Sequence, residues 1–135
     1  MISSNFGAFY NDFIGNIKKS EKEQQHEAIR IVLYAHNHLI SISPRNTGRY
    51  VASHVISFDT TSSKKAPDGL SPSQYEALAL KESAYLAGTN IKDKKTIFIQ
   101  NNLEYAEALE DGSSKQAATG VYSVVESNVK SRFKL

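Results

Sequence analysis

Four histidines, an acidic pair and a Ser-Ser-Lys-Gln cluster are the residues of this chain whose types could do chemistry. His36 and His38 stand two apart, a spacing that places them on different faces of a helix but on one face of a strand. The chain has no cysteine, and neither histidine is followed four residues on by Asp or Glu, so no zinc ligand set is assembled locally. His36 and His38 therefore read as solvated or interface side chains; His26 falls on a polar helix face and His54 inside a strand, neither with a local partner. Glu107 and Glu110 sit at i and i+3. Paired carboxylates can exchange protons or hold a hard cation, yet nothing near them in sequence would shift a pKa, and an exposed helical face is the expectation. The serines lie in loops and caps without the base and orienting group a nucleophile needs. Gly112 and Gly120 are too far apart for a phosphate loop, and Lys115 belongs to no Gly-Lys-Ser/Thr pattern. No catalytic, cofactor-binding or metal-binding residue is expected, and no enzymatic activity.

Composition narrows the classes further. With 135 residues the chain fits one domain, 1–135, large enough to bury a sizeable core. The absence of cysteine excludes disulfides and thiolate metal sites. The start, MISSNFGAFYNDF, has no basic n-region and does not read as a signal peptide. No apolar run approaches the ~20 residues of a membrane span, so no membrane partner is expected. The formal net charge of +2 and pI of about 8.8 are mildly basic. The sets Lys64-Lys65, Lys92-Lys94-Lys95 and Lys130-Arg132-Lys134 could meet phosphates, but interleaved aromatics are lacking apart from Phe133 and no groove-reading motif accompanies them. A nucleic-acid-binding accessory protein is thus the alternative reading of function.

The elements that would position these residues are an N-terminal helical region, 1–43, and a region of strands and helices, 44–135. Phe6, Phe9, Phe13 and Ile17 recur at helical spacing. Gly15 interrupts the pattern, and Ser20 with Glu23 forms a capping box. Ala28, Ile31, Val32, Ala35 and Leu39 make a second stripe. The β-branched content of 29–42 leaves a strand open as the alternative. Pro44 ends the helix. Val51 to Phe58 alternates as a strand. Asp59 to Gly69 is polar and reads as an exposed loop, mobile in a free subunit. Ser71-Pro72 starts a middle helix whose stripe of Tyr75, Leu78, Ala79, Tyr85 and Leu86 is broken by Glu82. Thr96 to Ile99 reads as a short strand, Tyr105 to Leu109 as a helical turn or short strand. Thr119 stands ahead of a last helix through Val121, Val124, Val125 and Val129. The fold class is α+β: a helical region packed on a small antiparallel sheet, with a middle and a C-terminal helix.

Two stretches together carry a pattern. Asn101, Leu103, Tyr105 and Ala106 are followed by Leu109, Glu110 and Gly112, then by Ser114, Lys115, Gln116, Ala117 and Gly120. Upstream stands Pro44-Arg45-Asn46-Thr47-Gly48-Arg49-Tyr50. The pair resembles the signatures N-x-L-P-Y-A, L-E-x-G, S-K-Q-A-P-x-G and P-x-D-T-G-x-L of the phage tail-component family of long-tailed bacteriophages, also called tail-completion or head–tail joining proteins. Glu104 and Ala118 stand where Pro is usual, Asn46 where Asp is usual and Tyr50 where Leu is usual. The resemblance runs over about 44–125. It implies a structural virion protein of the neck or tail that completes the tail and helps join head to tail, assembled in the host cytoplasm. Its implied partners are other copies of itself in a homo-oligomeric ring, a hexamer in the virion, and adjoining neck and tail proteins. DNA would pass through the lumen without specific binding. On that reading Glu110, Asp111, Gly112, Ser114, Lys115, Gln116 and Gly120 form a protein–protein interface, with acidic and basic side chains setting the register between copies.

Overall fold

The computed structural model describes residues 21–91, 94, 96–110 and 120–134, with side chains from 25 onward except those of 107 and 108. The stripe of Phe6, Phe9, Phe13 and Ile17, the Ser20–Glu23 capping box, Lys92, Lys95, the Glu107 side chain and the segment from Asp111 to Thr119 lie outside the described residues.

The chain is α+β. Helix α1 spans Glu21–Ile42, α2 is the single turn Arg49–Ala52, and strand β1 is His54–Phe58. Helix α3 follows at Pro72–Ala87, then strand β2 at Ile97–Asn101, α4 at Ala106–Glu110 and α5 at Tyr122–Phe133. The 29–42 stretch is helical despite its β-branched residues, because Ala28, Ile31, Val32, Ala35 and Leu39 fall on one buried stripe and tertiary burial outweighs a small propensity penalty. Two side chains close the last turn of α1. Ser43 Oγ donates to the Leu39 carbonyl, which also accepts the Ser43 N–H, and Arg45 Nη2 donates to the Ile40 carbonyl, where the intrahelical donors run out.

The strands pair antiparallel, with Ile56 opposite Ile99 and Phe58 opposite Ile97. β1 begins three residues later than the alternating pattern from Val51 suggests. Gly48, at φ 97°, turns the chain into α2 instead. A helical turn allows the consecutive residues Tyr50 and Val51 both to be buried, with Val51 in a small cluster beside Ile40 and Ala79. A side-chain Cβ at position 48 would stand 3.1 Å from Cβ of Tyr75, so both backbone conformation and packing call for glycine there.

α1, the two strands, α3 and α5 share one core in which Leu39, Leu86, Ile99, Val121, Val125 and Val129 have no measurable exposure. In α3 the Ser71 cap and Gln74 form the reciprocal capping box and Pro72 opens the first turn. Its buried stripe is Tyr75, Ala79 and Leu86; Tyr85 stands half exposed. The break at Glu82 has a physical cause. Glu82 Oε1 accepts the Ile56 backbone N–H at 2.9 Å, covering part of a strand edge that no third strand among the described residues occupies.

The 59–69 loop is hydrogen-bonded to the body of the fold at several points. Asn102 Nδ2 donates to the carbonyls of Ser62 and Lys64, and Ser62 N–H donates to Gln100 Oε1. Ala66 is buried. Its N–H donates to Ser53 Oγ and its carbonyl accepts from Arg49 Nε. The loop is largely exposed, as its composition suggests, and its polar groups hydrogen-bond to a neighbouring strand end.

Candidate functional site

Asn101, last residue of β2, begins the site. Its Nδ2 donates to the Tyr50 carbonyl at 3.0 Å and its Oδ1 accepts the Leu103 N–H. One side chain thereby ties the N-x-L stretch to α2, just after the Pro44–Gly48 turn. Leu103 and Ala106 are buried in the core. Tyr105 points outward, 41% exposed, with its ring 6.4 Å from that of Tyr50. The two signature stretches, far apart in sequence, therefore meet. Pro44, Asn46, Thr47, Gly48 and Tyr50 from one, and Tyr105 and Leu109 from the other, line a common surface pocket of about 300 Å³. A smaller one of about 150 Å³ opens on the other flank of the same turn, between Arg45 and Glu76, which form an ion pair at 2.9 Å.

Glu110 closes α4 and starts α5. Its Oε1 accepts N–H groups from Val121 and Tyr122 and its Oε2 accepts that of Ser123, at 2.7 to 3.0 Å. Val121, the N-cap, supplies no side-chain bond of its own. A carboxylate placed against three orphan donors suits the positive end of a helix. Gly120 lies against it at φ 92°. The chain thus leaves at Glu110 and returns at Gly120 at one point. Asp111, Gly112, Ser114, Lys115 and Gln116 belong to the intervening stretch and lie outside the described residues.

The histidines are where reasoning from the sequence missed most. His36 is buried rather than solvated, and His54, at the start of β1, is buried with distant partners that its local sequence does not show. His54 Nε2 lies 2.7 Å from Ser43 Oγ and its Nδ1 lies 2.8 Å from the Tyr122 hydroxyl. His36 Nε2 lies 3.4 Å from the His54 carbonyl and its Nδ1 2.7 Å from Ser83 Oγ. Burial holds His36 down to about 4 and His54 well below the ordinary histidine value, with His36 adding to the effect on His54. Burial likewise pushes the Tyr122 phenol upward, with Tyr50 and Glu110 contributing.

The Ser43–His54–Tyr122 chain has the composition of a nucleophile, a base and an orienter, but the opposite polarity. The Ser43 proton is committed to the Leu39 carbonyl, so neutral His54 donates from Nε2 to Ser43 Oγ and accepts at Nδ1 from Tyr122. A base needs its lone pair aimed at the hydroxyl it activates. This arrangement locks α1, β1 and α5 together. No local sequence signal could have found it, since its members come from distant elements. His38 bonds Asn128 on the surface instead, and His26 is exposed. Among the described residues no cluster of His, Asp and Glu could hold a metal ion, and no helix is long and apolar enough to cross a membrane.

Comparison with protein-family models, with curated proteins and with solved structures found no match.

Proposed function

We propose that this chain is a structural subunit of a phage neck or tail, forming a ring that completes the tail and helps join head to tail. The carrying observation is the convergence of the two family-like stretches, 44–50 and 101–109, around one surface pocket, beside the point where the chain leaves at Glu110 and returns at Gly120. Docking between subunits needs rigid framing of the contacting segment. Asn101, Glu110 and the Gly48 turn supply that framing through bonds internal to the chain. The contact itself falls to Tyr105 and the pocket, and to Asp111, Gly112, Ser114, Lys115 and Gln116, with Glu110 and Gly120 holding the ends of that segment.

The test is complementation of a phage lacking this gene, with imaging of the particles. Lys115→Glu and Tyr105→Glu should leave the purified subunit folded and yield filled heads and tails that remain apart. Normal infectious particles from both variants would overturn the reading. Steeply salt-dependent DNA binding by the free subunit would favour a nucleic-acid accessory role instead.

A further inference from the structure

Among the described residues the two-stranded sheet leaves one edge of β1 without a strand, and the groups on that edge can be followed one by one. Asp59 N–H donates to the Thr96 carbonyl. With the register Ser57 opposite Phe98 and Val55 opposite Gln100, residues 55, 57 and 59 therefore exchange bonds with β2. His54, Ile56 and Phe58 direct their backbone groups the other way. Of those six groups, the His54 N–H has no partner among the described residues, and three have partners within the chain. The His54 carbonyl faces His36 Nε2, Ile56 N–H donates to Glu82, and the Phe58 carbonyl accepts from Thr60 N–H. Ile56 C=O and Phe58 N–H have no partner among the described residues. Both residues line a groove of about 630 Å³ between β1, the 64–67 part of the loop and α3.

An acceptor on one residue and a donor two residues later are the pair that a single residue of an added parallel strand engages, its own N–H and C=O taking both. Such a residue would lie opposite Ser57 and would displace neither Glu82 nor His36. The groove walls set the chemistry of the guest. Lys64, Lys65, Lys81 and Lys94 line it, with Glu82 the one carboxylate among the described lining residues, and Glu82 is already engaged. Lys65 pairs with Glu104, whereas Lys64, Lys81 and Lys94 form no ion pair with a described residue. Phe58 and Tyr85, with rings 6.0 Å apart, provide an apolar floor beside them.

We propose that this groove binds an extended acidic segment of a partner protein, which adds to β1 as a short parallel strand bonded to Ile56 C=O and Phe58 N–H. This stands independently of the ring reading, because its test requires neither assembly nor phage.

The probe is the peptide Ac-Glu-Val-Glu-Val-Glu-Val-Glu-NH2, titrated into the full-length protein and followed by amide NMR. Binding should shift Phe58 N–H and slow its exchange, and should weaken as NaCl is raised. Lys64→Glu combined with Lys81→Glu, both exposed, should weaken binding about tenfold or more while leaving the fold's spectrum intact. Two further peptides carry N-methyl groups on every Val or on every Glu. Since only alternate residues face β1, one of them should lose about fivefold or more in affinity and the other should bind normally. Four outcomes would overturn the proposal: no binding up to about 1 mM peptide, equal binding of the Lys-for-Glu peptide, loss with both or neither of the N-methylated peptides, or protection of Phe58 by self-association or by oligo-dT in place of the peptide.

Discussion

Glu110 and Gly120 are shaped to each other. A Cβ at position 120 would lie 2.7 Å from Glu110 Oε2, 2.8 Å from the Glu110 carbonyl and 2.8 Å from Ser123 Oγ. Only a glycine lets the backbone pass close enough for that carboxylate to reach the first turn of α5. Glu110→Ala removes bonds from a charged acceptor to three backbone donors and should cost about 2 kcal/mol in urea unfolding. Gly120→Ala combines a left-handed φ with a backbone clash and should cost about 1–3 kcal/mol. Unchanged midpoints in both variants would show that the clasp contributes nothing to stability. Charge reversal at Glu110 should therefore destabilise the free subunit, which a contact made only between copies would not do.

The buried histidines make stability depend on pH. Both have folded-state pKa values depressed by burial, His36 from 6.5 to about 4 and His54 in the same direction. Below pH 6.5 the unfolded chain binds protons that the folded chain refuses. The stabilisation is therefore complete above the unfolded value and is lost as pH falls from about 6.5 toward 4. A shift of this size at His36 corresponds to about 3 kcal/mol across that window. Urea unfolding between pH 8 and 4.5 should be flat at the alkaline end and fall steadily below 6.5. A level profile over the whole range would contradict the burial of both rings.

Asn102 should control the order of the loop ahead of α3. The amides of Ser62 and Ala66 donate to side chains of the folded body and should exchange slowly. Asn102→Ala releases the carbonyls of Ser62 and Lys64. It should speed exchange at Ser62 with a stability loss of about 1–2 kcal/mol. Fast exchange at both amides in the unaltered protein would mean that the loop is free.

Glu82 should act through one backbone group. Glu82→Ala leaves Ile56 N–H without its acceptor and should accelerate exchange at that amide, at a cost of about 1–3 kcal/mol. Glu82→Gln keeps an oxygen in place and should recover most of the loss. Equal effects of the two substitutions would indicate that the charge, not the hydrogen bond, matters.

Much of this fold can be read from local pattern. The stripe from Ala28 to Leu39, the Ser71-Pro72 start and the stop near Gly88 are consequences of helical periodicity and capping, which act over a few residues. The Gly48 turn is legible for the same reason, since asparagine, threonine and glycine favour such conformations wherever they stand. The α+β class follows from these elements together.

What tertiary structure decided is where the polar side chains go. Alternation through Val51 to Phe58 suggested one strand, but the burial of Tyr50 and Val51 side by side required a turn first. Glu82 looked like a fault in an apolar stripe until β1 was beside it. His36, Ser43, His54 and Tyr122 carry no mutual signal in sequence, because a hydrogen bond depends on proximity in space and these residues come from distant elements. The same holds for Glu110, whose backbone donors lie beyond the stretch from 111 to 119. Periodicity reports which face of an element is apolar. The partner of a buried polar group is set by the desolvation cost of leaving it unpaired, and that is fixed only once the elements have packed.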